Sequence, residues 1–169
     1  IAAIILVTVT LKSQGYLEHV NDSHLHDLAK YLFGFSIFWT YLWFSQYLLY
    51  WYSNIPEEVT YFVTRLEHYE PIVLSMLAIN FLLPLLILVD SDIKRKPWVV
   101  GTMAVVILVG HYLDFFNMIM PATVGDQWCI GAGEIGSVLF FFGLFTFVTF
   151  RTLTKAPLVE KNHPLMHES

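Results

Sequence analysis

Apolar runs separated by short polar connectors dominate the pattern of this chain. A membrane-spanning helix needs about 20 predominantly apolar residues. Five runs are candidates: residues 1–11, 28–53, 71–89, 97–119 and 130–150. The first, IAAIILVTVTL, reaches Lys12 after only ~16 Å of helix. It reads as the second half of a span, and the chain as part of a longer protein. It has neither the basic start nor the small-residue cleavage site of a signal peptide. Between the second and third runs, Val59, Phe62, Val63 and Leu66 follow an i, i+3, i+4, i+7 spacing. That spacing predicts a short amphipathic helix within 55–70, lying at the membrane surface. The expected fold class is all-α: a polytopic transmembrane helix bundle with about five spans, the first truncated. It forms one membrane domain over residues 1–169, ending in a polar tail from 151.

Punctuation supports these boundaries. Asn21, Asp22 and Ser23 offer N-caps ahead of the second run, and Asn54, Ile55 and Pro56 stop it. From Leu28 to Ser53 it covers ~39 Å of helix, longer than a hydrocarbon core of ~30 Å. Aromatic rings favour the membrane interface, but Trp39 and Trp43 lie too deep for that role. Packing between helices is the reading for them, ahead of a ligand surface. Asn80 and Pro84 predict a kink midway along the third run. Pro97 and Trp98 open the fourth, and Gly131, Gly133 and Gly136 would let another backbone approach the fifth.

Composition sharpens the class. The chain is 56% hydrophobic and only 14% charged, against about 25% charged in soluble domains. A net charge of −5 does not favour nucleic acid as a partner. The single cysteine, Cys129, excludes an internal disulfide, a CxxCH haem attachment and an iron–sulfur cluster held by this chain alone. A haem-b bundle needs opposed deep histidines, and His111 is the only deep one. No cofactor or metal is therefore expected in this chain. Basic residues alternate between connectors. Lys12, Lys30, Lys94, Arg95, Lys96, Arg151, Lys155 and Lys161 fall on one side of a five-span arrangement, and Arg65 alone on the other. Under the positive-inside rule the C-terminus and the 94–96 loop face the cytoplasm.

The candidate chemistry lies between His111 and Glu134. His111, Asp114 and Glu134 are the ionisable residues set well within apolar runs, where such groups are costly and usually functional. Asp114 lies ~25 Å along the fourth run, and Glu134 lies near the start of the antiparallel fifth. Both carboxylates then fall in the outer third of the membrane. His111 and Asp114, at i and i+3, share a helix face. One reading is a proton relay or a quinone-binding polar cluster, because desolvation raises a carboxylate towards the range where histidine titrates. The other is a structural His111–Asp114 pair with Glu134 wetted at the headgroups. His24, His26 and Asp27 have the look of a metal cluster, but a solvated helix start is the better reading. His163 and His167 read as polar tail residues. Nucleotide-binding and hydrolase motifs are absent from the sequence.

The run FGFSIFWTYLWFSQYLLYWYSNIPEEVTYF, followed by GHYLDFFNMIMP, resembles the membrane subunits of the NrfD/polysulfide-reductase type. More narrowly, with the tail KAPLVEKNHPLMHES, it is similar to the C-terminal half of ActF-type subunits of bacterial alternative complex III, a respiratory quinol:cytochrome c oxidoreductase. The resemblance implies eight to ten spans in two four-helix bundles in the bacterial inner membrane. It implies partner subunits carrying haem c and iron–sulfur clusters, a paralogous quinol-binding membrane subunit, and no redox centre in this chain. It also implies a proton-conducting role for buried polar residues, which His111, Asp114 and Glu134 match in kind. Two other classes stand beside it: a structural membrane scaffold, and an independent transporter, for which only Pro84 hints at a broken helix.

Overall fold

The computed structural model describes residues 1–17, 19–125 and 127–155. The segment 156–169, with His163 and His167, lies outside the described residues, as do Glu18 and Asp126. All regular structure among the described residues is helical. The chain divides into two units, 1–126 and 127–169.

The first unit opens with α1 (Ala2–Ser13) and α2 (Asp22–Ser53). Asn21 caps α2: its side chain accepts from the Ser23 and His24 backbone N–H groups, while His24 Nδ1 accepts from the Asn21 N–H. This reciprocal cap satisfies donors that a helix start leaves free and accounts for His24. Asp27 pairs with Lys30 at 3.0 Å. Asn54, in the left-handed region at φ 47°, ends α2. Then α3 (Pro56–His68) follows, with Pro56 at its first turn.

The third apolar run forms α4 (Glu70–Leu77), a π turn (Ala78–Leu82) and α5 (Leu83–Ile87). Pro84 has no N–H, so the Asn80 carbonyl loses its helical donor. The widened π turn is the local answer to that break, and it stands where the sequence predicts a kink. After a short 3₁₀ turn (Ile93–Arg95), α6 runs from Pro97 to Thr123. It passes beyond 119 and through Pro121, which sits inside its last turns. Gly125, at φ +64°, turns the chain, and the buried Tyr69 donates its hydroxyl to the Gly125 carbonyl.

Among the described residues, three helical stretches are both long and apolar enough to cross a membrane: Glu70–Ile87, Pro97–Thr123 and Ala132–Leu153. They mark the chain as a membrane protein. The other two predicted spans differ from these. α1 is apolar but short, at 12 residues. α2 is long, at 32 residues, but its many Tyr and Trp side chains make it less apolar than those three.

The core of the first unit lies where α1, α2 and the start of α6 meet. Ala2, Ile5, Ala29, Leu32, Leu88, Val100, Met103, Ala104 and Ile107 form one buried apolar cluster. Small residues on α6 permit the approach: a Cβ added at Gly101 would already lie 3.7 Å from Val9. Lipid tails are as apolar as these side chains, so close packing rather than exclusion of water holds such helices together.

In the second unit, α7 (Ala132–Leu153) is apolar around its whole circumference and buries none of its residues.

Candidate functional site

Beyond Ile107 the surroundings of α6 change from apolar to polar. Gly110 is the boundary. A Cβ built there would stand 2.2 Å from Asn80 Oδ1 and 2.6 Å from Ile79 Cγ2, so only glycine lets the π turn seat against α6. Asn80 is 1% exposed, and neither its Oδ1 nor its Nδ2 has a hydrogen-bond partner.

One turn further on, Trp39 of α2 donates its indole N–H to Asp114 Oδ2 at 2.9 Å. The same indole meets the His111 ring edge-on, with centroids 6.1 Å apart at 75°. Trp39 therefore joins the two residues that the sequence places on one face of α6. The indole N–H can donate but not accept, so it orients the carboxylate without passing protons itself. Asp114 Oδ1 takes no bond among the described residues.

His111 and Asp114 open onto different spaces. Asp114 lines a cavity of about 180 Å³ walled by Trp39, Trp43, Tyr47, Tyr61 and Phe62, with Gln46, Arg65 and Asn117 as its other polar side chains. His111 lines a wider recess of about 480 Å³ together with Ser36, Ile107 and Ala2. The indole lines the first and meets the His111 ring that lines the second.

Arg65 closes the far end of the cavity. It is 6% exposed, although it sits on α3, where the sequence marks it only as the one basic residue on its side of the predicted spans. Its Nε donates to the Asn117 carbonyl at 3.1 Å and its Nη2 to the Met118 carbonyl at 3.1 Å. Its Nη1 donates to the Tyr61 carbonyl at 2.6 Å, with the guanidinium 3.4 Å over the Tyr61 ring. The Asn117 carbonyl is the one that would accept from residue 121, and Pro121 has no N–H to give. Arg65 replaces that missing donor from a neighbouring helix. Burial pulls its guanidinium down from the ordinary arginine value, while Tyr61 and Tyr69 oppose the shift. An arginine remains charged all the same. Asn117 is 4% exposed, and its side-chain Oδ1 has no partner.

Glu134 belongs to the second unit. Its Oε2 accepts from the Gly131 backbone N–H at 2.8 Å, closing the first turn of α7. A carboxylate there also faces the positive end of the helix dipole. Thus the structure joins His111 and Asp114 through Trp39, and gives Glu134 a bond at the start of its own helix. Trp39, Arg65 and Asn117 are the site residues that sequence reasoning missed. Their signal was faint: a tryptophan too deep for the interface, an unpaired basic residue, and an asparagine four positions before a proline.

Compared with known proteins, the chain matches no family model and no curated sequence.

Proposed function

We propose that this chain is a five-span, non-redox membrane subunit of a bacterial respiratory quinol:cytochrome c oxidoreductase. In this reading Asp114 and His111 form part of a proton path, the C-terminus is cytoplasmic, and haem c and iron–sulfur clusters reside in partner subunits. The residues of 33–62 and 110–121 support the family reading by their resemblance. The observation that carries the chemistry is the Trp39–Asp114 bond with His111 against the same indole. A carboxylate held by one oxygen keeps the other free to take up and release a proton, and an imidazole one turn away can exchange with it through water. Trp39 fixes the carboxylate, and Asp114 and His111 hold the proton. Glu134 belongs to the path only if its bond to Gly131 opens.

The deciding experiment is proton release per quinol oxidised by the whole complex in sealed vesicles. Asp114→Asn keeps an acceptor for Trp39 but cannot ionise. It is expected to lower the proton yield while leaving assembly intact. An unchanged yield would favour the scaffold reading, for which the same Trp39–Asp114 bond is merely a tie between α2 and α6. Topology is tested separately. Cysteines placed near Glu58 should label from outside, and cysteines near Lys94 should not.

A further inference from the structure

The cavity at Asp114 is lined by one basic and one acidic side chain that do not pair with each other. Arg65 is buried and gives its hydrogen bonds to the neutral carbonyls of Tyr61, Asn117 and Met118. No described carboxylate lies within ion-pair distance of it. Among the described residues, Asp114 accepts only from the neutral Trp39. Asp114 and Asn117, whose carbonyl Arg65 holds, are one helical turn apart, or ~4.5 Å along α6. Between them the buried Asn117 Oδ1 faces an unfilled requirement for a donor. A buried guanidinium and an orphaned acceptor of this kind cost free energy unless something meets them.

We propose that this cavity is a binding site for the headgroup of one phosphoethanolamine lipid. Of the five N–H donors on a guanidinium, Arg65 spends three on carbonyls and keeps two for a phosphate oxygen pair. The ammonium group donates to Asn117 Oδ1, once that amide turns its oxygen from its buried position into the cavity. It stands beside Asp114 as a counter-charge without bonding its free oxygen, with the faces of Trp43 and Tyr47 beside it. The space of about 180 Å³ accepts a headgroup but not acyl chains; for scale, an engineered cavity of about 150 Å³ takes benzene. The chains leave over Leu42, Leu66 and Met118, which line the cavity and are exposed. The depth is right for a headgroup. Asn117 lies six residues before the end of α6 at Thr123, ~9 Å along the helix, and α3 leads directly into the run Glu70–Ile87.

The same contacts reject other headgroups. Choline has no N–H for Asn117 Oδ1. Glycerol brings no cation to Asp114. Serine sets a second carboxylate beside Asp114. The site depends on the chain lying in a membrane and not on its respiratory assignment.

The test uses the full-length protein purified in its complex, stripped of lipid and titrated with short-chain phosphatidylethanolamine, phosphatidylcholine, phosphatidylglycerol or phosphatidylserine. Bound lipid is counted by native mass spectrometry. One phosphatidylethanolamine per chain is expected, held at least about tenfold more tightly than the other three, the worth of one good charged hydrogen bond. Asn117→Leu should erase the preference. Leu66→Trp, a change on the exposed rim, should block the mouth and lower retention without touching the polar contacts. Equal retention of all four lipids, tightest binding of phosphatidylglycerol, preference for an isoprenoid quinol over every phospholipid, or retention unaltered by both variants would each overturn the proposal. The count is read without turnover, so loss of the proton-path reading would leave it intact.

Discussion

The two halves of α6 solve different problems with one helix. From Val99 to Ile107 its buried neighbours are apolar, and packing is the whole account of the contact. From Gly110 to Met118 the neighbours include Asn80, Trp39 and Arg65, which bring polar atoms to the helix. The halves differ in their own residues, since 99–107 carries no ionisable side chain and 110–118 holds His111, Asp114 and Asn117. They differ as well in what the facing helices bring. At the first half those are Ala2, Ile5, Ala29 and Leu32; at the second, an asparagine, a tryptophan and an arginine. Where side chains merely fill space, a membrane helix gains stability by closeness. Where they leave donors and acceptors in lipid, each needs a named partner.

The largest effect should come from emptying the dry half. Leu32, 3% exposed, truncated as Leu32→Ala, should cost about 2–5 kcal/mol through lost contacts and a cavity. The check is thermal or denaturant unfolding in detergent, with the Trp39–Asp114 contact unchanged by indole hydrogen exchange. At the boundary, Gly110→Ala places a Cβ within 2.2 Å of Asn80 Oδ1 and should cost about 1–3 kcal/mol by overpacking. Should it prove neutral, the π turn yields more easily than its packing implies.

In the polar half, Arg65→Leu strips the Asn117 carbonyl of its donor and should cost about 1–3 kcal/mol. Combining it with Pro121→Ala, which restores a backbone N–H, should recover about 1 kcal/mol of that loss in a double-mutant cycle. Strict additivity would mean Arg65 does not stand in for the missing proline N–H.

The smallest effect lies at the start of α2. His26 is held below its ordinary value of 6.5, first by desolvation, then by Lys30, Arg95 and Lys94, with Asp27 pulling the other way. Its Nε2 has no partner. The folded state thus disfavours the imidazolium. The contribution of His26 is complete above pH 6.5 and is lost as pH falls through its lowered value. Unfolding midpoints should therefore drop more between pH 7.5 and 5.5 for the native chain than for His26→Asn. A larger drop in the variant would reverse the sign.

Helix positions were legible because apolar run length and punctuation act locally. Asn21 and Pro97 stand where the sequence predicts starts, Asn54 where it predicts a stop, and Pro84 where it predicts a break. His111 and Asp114 were legible because charge in an apolar run is conspicuous. Arg65 was not. The stripe at Val59, Phe62, Val63 and Leu66 describes the apolar face of α3, yet its buried residues are Phe62 and Arg65, with Val63 and Leu66 exposed. Which face turns inward depended on a carbonyl released fifty-two residues later by Pro121. Trp39 was hidden for the same reason: its partner is seventy-five positions away.

Two asparagines stand four residues before a proline, Asn80 before Pro84 and Asn117 before Pro121, and their freed carbonyls are handled differently. The first break is absorbed within its own helix by the π turn, so that segment can complete itself as it is synthesised. The second borrows its donor from α3, which leaves the ribosome earlier. The arginine can therefore wait at the water boundary, where a cation is cheap to hold, until α6 enters the bilayer and presents its exposed carbonyl. Chain order puts the soluble partner first. With the order reversed, an unsatisfied backbone oxygen would have to wait in lipid.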